Sequence, residues 1–366
     1  MKTTSYVLRE LSSPVGVPLR TLGYREFTSN ADWKRNLISF TSLLWDDRRN
    51  RLICGMTAFD ADLMYEFNPA TESFTCLNYP ADDPFEIKIH RSLHLCRDGR
   101  VIGATACLHR EDQRSQAPGG RLFIYDPDKR TYDFLGIPVP LDYIQTITVD
   151  EERGLLYGFS YPVFNFFVYD LRKRRTRRVD YMGSIPHIVS LAPDGGYFAT
   201  WNCRTHNLFR YDPDTDSYTF YQHALPHTTE SCGLMYPGAG PIDGMVTGPD
   251  GLLYIGEASG HLDRLDPKTG KVEDLGRPAG NETRIPALEV GPDNRIYGIA
   301  GFKERCHLFA YDCTTGQAEV FGLIQDDCDH TPLFIGHDIA IQDAHTIFVG
   351  ETDTSDRAGR LWKCTI

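Results

Sequence analysis

Gly244–Gly276 reads GMVTGPDGLLYIGEASGHLDRLDPKTGKVEDLG, a complete structural unit with its punctuation in place. Met245–Thr247 is a short apolar run, and Pro249-Asp250-Gly251 is a tight-turn tripeptide. Leu252–Gly256 and Leu262–Leu265 read as further strands, Asp266-Pro267-Lys268-Thr269-Gly270 as a second turn, and Val272–Leu275 as a fourth strand closed by Gly276. Glycine supplies positive φ at such reversals and proline pre-sets φ at their second positions, so both turns have a mechanism. The stretch predicts a four-stranded antiparallel meander.

The same punctuation recurs along the chain. A period of about 40–50 residues is the signature of a propeller. The third strand and its turn mark the copies: Leu63–Pro69, Leu122–Pro127, Phe167–Asp170, Leu208–Pro213, Leu262–Pro267, Leu308–Asp312 and Leu361–Lys363. Apolar-Gly pairs end blades at Leu135-Gly136, Met182-Gly183, Leu275-Gly276 and Phe321-Gly322. The expected architecture is therefore an all-β, single-domain, seven-bladed β-propeller over 1–366. Its last copy lacks a fourth strand, and Pro18–Gly23 (PLRTLG) carries a matching ending, so that segment is expected to close the ring, with Met1–Val17 an extension wrapping the outside. Closure removes an otherwise flat, unpaired strand edge.

A formal net charge of −12 argues against non-specific binding of nucleic acid or an anionic membrane surface. The basic run Arg172–Arg178 reads as a charged outer strand. No window approaches 18 uninterrupted apolar residues, and Met1–Glu10 has no apolar core of a leader, which predicts a cytoplasmic protein, or a secreted one if a leader was removed. Ten cysteines without C-x-x-C spacing are expected to be reduced.

In a meander, the turns between strands 1–2 and 3–4 lie on one face, and the 2–3 loop and the connection to the next blade on the other. The first set is short and stereotyped here, the second variable, and binding groups favour variable loops on a rigid scaffold. First-strand starts supply His90 with Arg91, Tyr143, His187, Asp243, Arg284 and His337. Second-strand ends supply His109 with Arg110, Tyr161, Arg204 with His206, Glu257, Lys303 with Arg305, and Glu351 with Asp353. Five of the twelve histidines thus converge on one rim among arginines. His, Tyr and Arg, without a Ser-His-Asp pattern or a phosphate loop, suffice for β-elimination at a hexuronate. Arg and His neutralise the carboxylate, His or Tyr removes the C5 proton, and a second acid protonates the departing oxygen.

The seven-blade pattern, with His90 at a first-strand start, His109 ending the following strand, Tyr161 in the next blade and Arg204 in the one after, resembles the β-propeller polysaccharide lyases: ulvan lyases, rhamnose–glucuronate lyases and, more distantly, oligogalacturonate lyases. The resemblance implies a lyase acting on a uronate-containing oligo- or polysaccharide. His109 and Arg204 would hold the carboxylate, His90 and Tyr161 would share the base and acid roles, and His187, Arg284, Lys303, Arg305 and His337 would bind substrate. The residues point to no particular cofactor, and the oligogalacturonate-lyase likeness leaves open a divalent metal on a subset of His90, His187, His206 and His337. Thr247–Gly256 and Leu265–Gly270 are also similar to the repeat of streptogramin lyases, which eliminate with His, Glu and Mg²⁺, and Glu257 would suit that scheme. Gluconolactonase-type lactonases need a carboxylate and Asn cage of which Asp243, Asn202 and Glu257 form only part. A non-catalytic propeller binding protein or glycan on this rim is the alternative from another class.

Overall fold

A computed structural model describes residues 1–9, 37–59, 61–107, 109, 111–228, 239–354 and 357–366. Seven antiparallel sheets follow one another as blades around a central channel, and the innermost strands of neighbouring blades pack side by side. Blade one is Ile38–Asp46, Arg51–Ala58, Met64–Asn68 and Ser73–Cys76; blade two is Leu93–Leu95, Val101–Ala104, Leu122–Asp126 and Thr131–Gly136. Blade three is Tyr143–Asp150, Leu155–Tyr161, Asn165–Asp170 and Arg175–Tyr181. Blade five is Ile242–Thr247, Leu253–Glu257, Leu262–Leu265 and Val272–Asp274, close to the unit read from its sequence. Blade six is Ala287–Val290, Arg295–Ala300, His307–Asp312 and Gln317–Leu323. The only helix among the described residues is one 3₁₀ turn, Glu111–Gln113.

The seven-bladed fold and its closure by an N-terminal strand are as expected, and two details differ. Blade seven, Gly336–Ile341, Thr346–Glu351 and Arg360–Thr365, is completed by Lys2–Val7, which pairs antiparallel with Arg360–Thr365 from Lys2↔Thr365 to Val7↔Arg360. The ring is thus closed by a strand inside the segment expected to wrap the outside, and Pro18–Gly23 lies outside the described residues. Blade four has Tyr197–Trp201, Asn207–Asp212 and Ser217–Ala224, while its innermost strand shrinks to a single bridge, Leu191↔Tyr197. Pro186 has no N–H, and the His187 N–H donates to Ile242 O of blade five (3.1 Å), so this stretch leaves its own sheet.

The repeated aspartate has a clear local role. Asp126, Asp170, Asp212, Asp266 and Asp312 each accept, on Oδ1, the backbone N–H two residues on, fixing the turn between the third and fourth strands. The second-strand glycines make room between layers. A Cβ on Gly103 would lie 2.2 Å from the Phe123 ring, and one on Gly350 would lie 2.4 Å from Phe40 O of the next blade. Buried apolar clusters fill the spaces from blade to blade around the circle, including one that joins Phe40 and Leu52 of blade one to Phe348 and Leu361 of blade seven. The basic outer strand of blade three is neutralised across blades, with Arg174 on Asp133, and Arg178 on Asp216 and Asp180. Among the described residues nine cysteines are free thiols, five of them buried.

Candidate functional site at the channel mouth

Four innermost strands carry the same irregularity near their first residues. The register slips between Phe40 and Ser42, Ile144 and Thr146, Ile242 and Gly244, and Gly336 and Asp338. Thr41, Gln145, Asp243 and His337 are therefore the extra residues of bulges in blades one, three, five and seven, and all four are buried. A bulge breaks the in-out alternation and re-aims a residue at the ring axis. Arg91 and Arg284, just ahead of the inner strands of blades two and six, adopt left-handed φ of 47° and 64°. Such backbone costs a non-glycine residue on the order of 1–3 kcal/mol and persists where the surroundings demand it.

These devices gather six side chains. Asp243 is the hub: Arg284 donates Nε to Oδ2 (2.7 Å) and Nη2 to Oδ1 (3.0 Å). His187 Nδ1 lies 2.9 Å from Oδ1. Arg91 donates Nη1 to Asp243 O (2.9 Å) and, more loosely, to Oδ1 (3.5 Å). A chain then runs from Arg91 across the axis. Arg91 Nε lies 3.4 Å from His337 Nδ1, His337 Nε2 lies 3.1 Å from His90 Nε2, and His90 Nδ1 lies 2.7 Å from Gln145 O. A carbonyl only accepts, so His90 carries its proton on Nδ1 and its Nε2 accepts from His337 Nε2–H. His337 Nδ1 in turn accepts from the guanidinium, which is always a donor. The partners therefore fix one neutral tautomer on each ring.

Electrostatics agree with that assignment. Burial, with the positive charges of Lys88 and Arg91, holds His90 well below the ordinary imidazole range, and burial and Arg91 do the same to His337. Burial brings His187 down to about 4 against the pull of Asp243. Burial alone would raise the Asp243 carboxyl, but Arg284 and His187 hold it well below its usual range. Lys88, half-buried at the rim, is brought down to about 8 by desolvation, and burial pushes Asp338 up to about 6. His337, Asp338 and Arg284 keep 7–8% of their surface exposed. Arg91 and Asp338 also line a cavity of about 350 Å³, together with Ser42, Ile147, Thr148, Ile188 and Ser190.

Of the residues singled out in the sequence, His90, Arg91, His187, Asp243, Arg284 and His337 meet here. The other expected catalytic and binding residues do not. Glu86 pairs with Cys107 and Lys88 with Ala106 in the connector between blades one and two, so His109 continues past Glu86, away from His90, and its ring meets Phe85 edge-on (6.0 Å). Tyr161 ends its strand stacked on Tyr143 at 4.8 Å, and Arg204 is exposed on a turn where Asn202 Oδ1 accepts its N–H. Lys303 and Arg305 are exposed, the latter paired with Glu282 (2.6 Å). His206 is buried against Ser184 Oγ (2.8 Å), apart from the other three histidines weighed as metal ligands. Glu257 is buried and accepts from Ser259 Oγ (2.6 Å). Gln145, Asp338 and Lys88 escaped the sequence reading. Asp338 and Lys88 stand one and two residues from recognised histidines, whereas Gln145 contributes only its backbone carbonyl, which leaves no trace in composition.

The neutral tautomers predict a pH signature. Histidines with depressed folded pKa values bind protons more readily in the unfolded chain, so their stabilising contribution is full above about pH 6.5 and drains away as the pH falls towards the folded values. For His187 alone, a folded value of about 4 corresponds to about 3 kcal/mol lost by pH 4. Asp338, raised to about 6, acts with the opposite sign. The readout is therefore the difference between native protein and His187→Gln in calorimetric midpoints from pH 7 to 4. The gap should close as the pH falls, and a constant gap would contradict a neutral His187.

No protein-family model matches the chain, and no curated protein matches it either.

Proposed function

We propose that the channel mouth binds the carboxylate of a uronate-containing saccharide and cleaves the neighbouring glycosidic bond by β-elimination. What carries the reading is a chain of neutral imidazoles, His337 to His90, ending on a buried guanidinium pair, Arg91 and Arg284, that shares the single carboxylate of Asp243. A neutral imidazole in a dry, cationic setting is a base whose charged product is opposed until an anion enters. A substrate carboxylate beside Arg284 and His337 would supply that anion and would itself be polarised by the guanidiniums.

The electron flow balances without a cofactor. His90 Nε2, released by a small turn of His337, takes the C5 proton, and Gln145 O stabilises the resulting imidazolium through Nδ1–H. The C5–H electron pair forms the C4=C5 double bond as the C4–O bond breaks. The leaving oxygen takes its proton from solvent, since Tyr161, the acid of the sequence scheme, stacks on Tyr143 outside the cluster. Arg91 and Arg284 carry the negative charge that builds on the carboxylate.

The test is ultraviolet absorbance of the unsaturated product during incubation with a panel of uronate-containing oligosaccharides, in the presence of EDTA. Native protein should give a rising trace on one of them, and His90→Gln should slow it about 100-fold or more, the usual worth of a positioned base. A flat native trace across the panel would overturn elimination. If glycans nevertheless bind and protect the fold, the non-catalytic propeller takes its place.

A further inference from the structure

On the same face, towards the outside of the ring, a second cluster lies apart from the channel. His227 follows the outer strand of blade four, His261 sits in the loop between the second and third strands of blade five, and Asp274 ends that blade's outer strand. His227 Nε2 lies 2.9 Å from Asp274 Oδ2, and His261 Nδ1 lies 3.0 Å from Oδ1. The two imidazoles stack with centroids 3.5 Å apart and planes 27° from parallel, and one ligand atom from each of the three residues lies within 4.8 Å of the others.

We propose that His227, His261 and Asp274 form a binding site for a divalent transition metal, with Zn²⁺ the best match. Two face-to-face rings that aim their nitrogens at one carboxylate repel each other once both are protonated, whereas a single cation between the three ligand atoms satisfies all of them. Two imidazoles and a carboxylate with a fourth position open is a donor set that zinc accepts, at about 2.0–2.2 Å per ligand. Ligand atoms on a tetrahedron of that size stand about 3.3 Å apart, so the present 2.9 and 3.0 Å spacings need to open by only a few tenths of an ångström.

The ligands are also held in place. Asp274 Oδ1 accepts the Gly276 N–H (2.8 Å). The His261 carbonyl accepts the Glu257 N–H (2.9 Å), and the loop turns at Gly260 with φ +88°, where a Cβ would stand 2.2 Å from Glu282 O. Side-chain exposures of 13% for His261, 21% for His227 and 37% for Asp274 leave the ligands open to an ion from solvent. Bound there, the metal would staple the segment leaving blade four to the outer edge of blade five, at the one sheet whose inner strand is reduced to a bridge.

The experiment strips the full chain with a chelator and titrates it with ZnCl₂ by calorimetry, with Co²⁺ as a spectroscopic stand-in. One equivalent of zinc is expected to bind and raise the thermal midpoint, and Co²⁺ should show the strong visible bands of four-coordinate geometry with nitrogen ligands. His261→Gln and Asp274→Asn should each weaken zinc about 100-fold or more and abolish the cobalt bands, while His307→Gln, at a half-buried ring in blade six, leaves both intact. Circular dichroism of the stripped variants separates lost binding from lost fold. Absence of binding to native protein would overturn the site. So would binding that survives in His261→Gln but disappears in His337→Gln, which would move the metal to the channel histidines.

Discussion

Asp243→Asn is expected to destabilise the folded protein by about 3–5 kcal/mol, the usual consequence of removing one partner from a buried ionic group. The side chain is 2% exposed and is the direct counter-charge of Arg284 and of Arg91, both buried. The amide keeps the shape but removes the charge and presents donors to a guanidinium that can only donate. Because the cost is that of stranded cations, a second change should recover part of it. Asp243→Asn with Arg284→Met is expected to be more stable than Asp243→Asn alone, a coupling that chemical denaturation of the four proteins in a double-mutant cycle would measure. Strict additivity would show that Asp243 acts through packing instead. The single variant should also gain stability from added carboxylate or sulfate more steeply than native protein does, since an anion replaces the missing charge.

The second large effect concerns the closing strand. A chain beginning at Arg9 lacks Lys2–Val7 and should lose about 10 °C or more of thermal midpoint, because several interactions vanish together. The ladder to Arg360–Thr365 is one of them. Thr3 and Ser5 N–H groups donate to Asp327 Oδ2 (3.0 Å) and Asp326 Oδ2 (2.8 Å) in the turn after blade six, and the Tyr6 ring packs on Phe67 of blade one at 4.7 Å while its hydroxyl donates to Glu72 (2.7 Å). This one strand thus touches three blades. Its removal also bares the Arg360–Thr365 edge, so light scattering should report self-association that the full chain does not show. Synthetic KTTSYV peptide added in trans should reverse both effects. A truncated chain that melts with the full-length protein would assign ring closure to the interface between blades one and seven alone.

The architecture was legible because each blade repeats its turn chemistry locally. An aspartate that caps the outer turn by its own side chain and a glycine that admits a neighbouring ring can both be seen without knowing what lies opposite. Ring closure was legible as a requirement but not as an address. PLRTLG shares an ending with the blades, whereas KTTSYV has strand-forming residues and no marker, and pairing between Lys2 and Thr365 is the least local contact a chain can make. The channel cluster divides the same way. His90, His187, Arg284 and His337 could be placed on one face by counting strand ends, but selecting them from the rest of the rim needed the bulges. A bulge changes register by one residue and leaves composition untouched, so counting strand starts put Asp243 on this face without marking it as the hub and passed over Gln145 altogether.

The pairing of Lys2–Val7 with Arg360–Thr365 also sets the order of events on the ribosome. The closing strand is made early and its partner late, so six blades can stack in sequence as they emerge while the seventh waits for Arg360–Thr365. During that interval the nascent protein is an open arc with an unsheathed strand at each end, the form in which propeller blades can exchange between neighbouring chains. The histidines and arginines of blades two, four, six and seven and the aspartate of blade five meet only when that arc shuts, so a channel mouth able to bind an anion exists on no partly made chain.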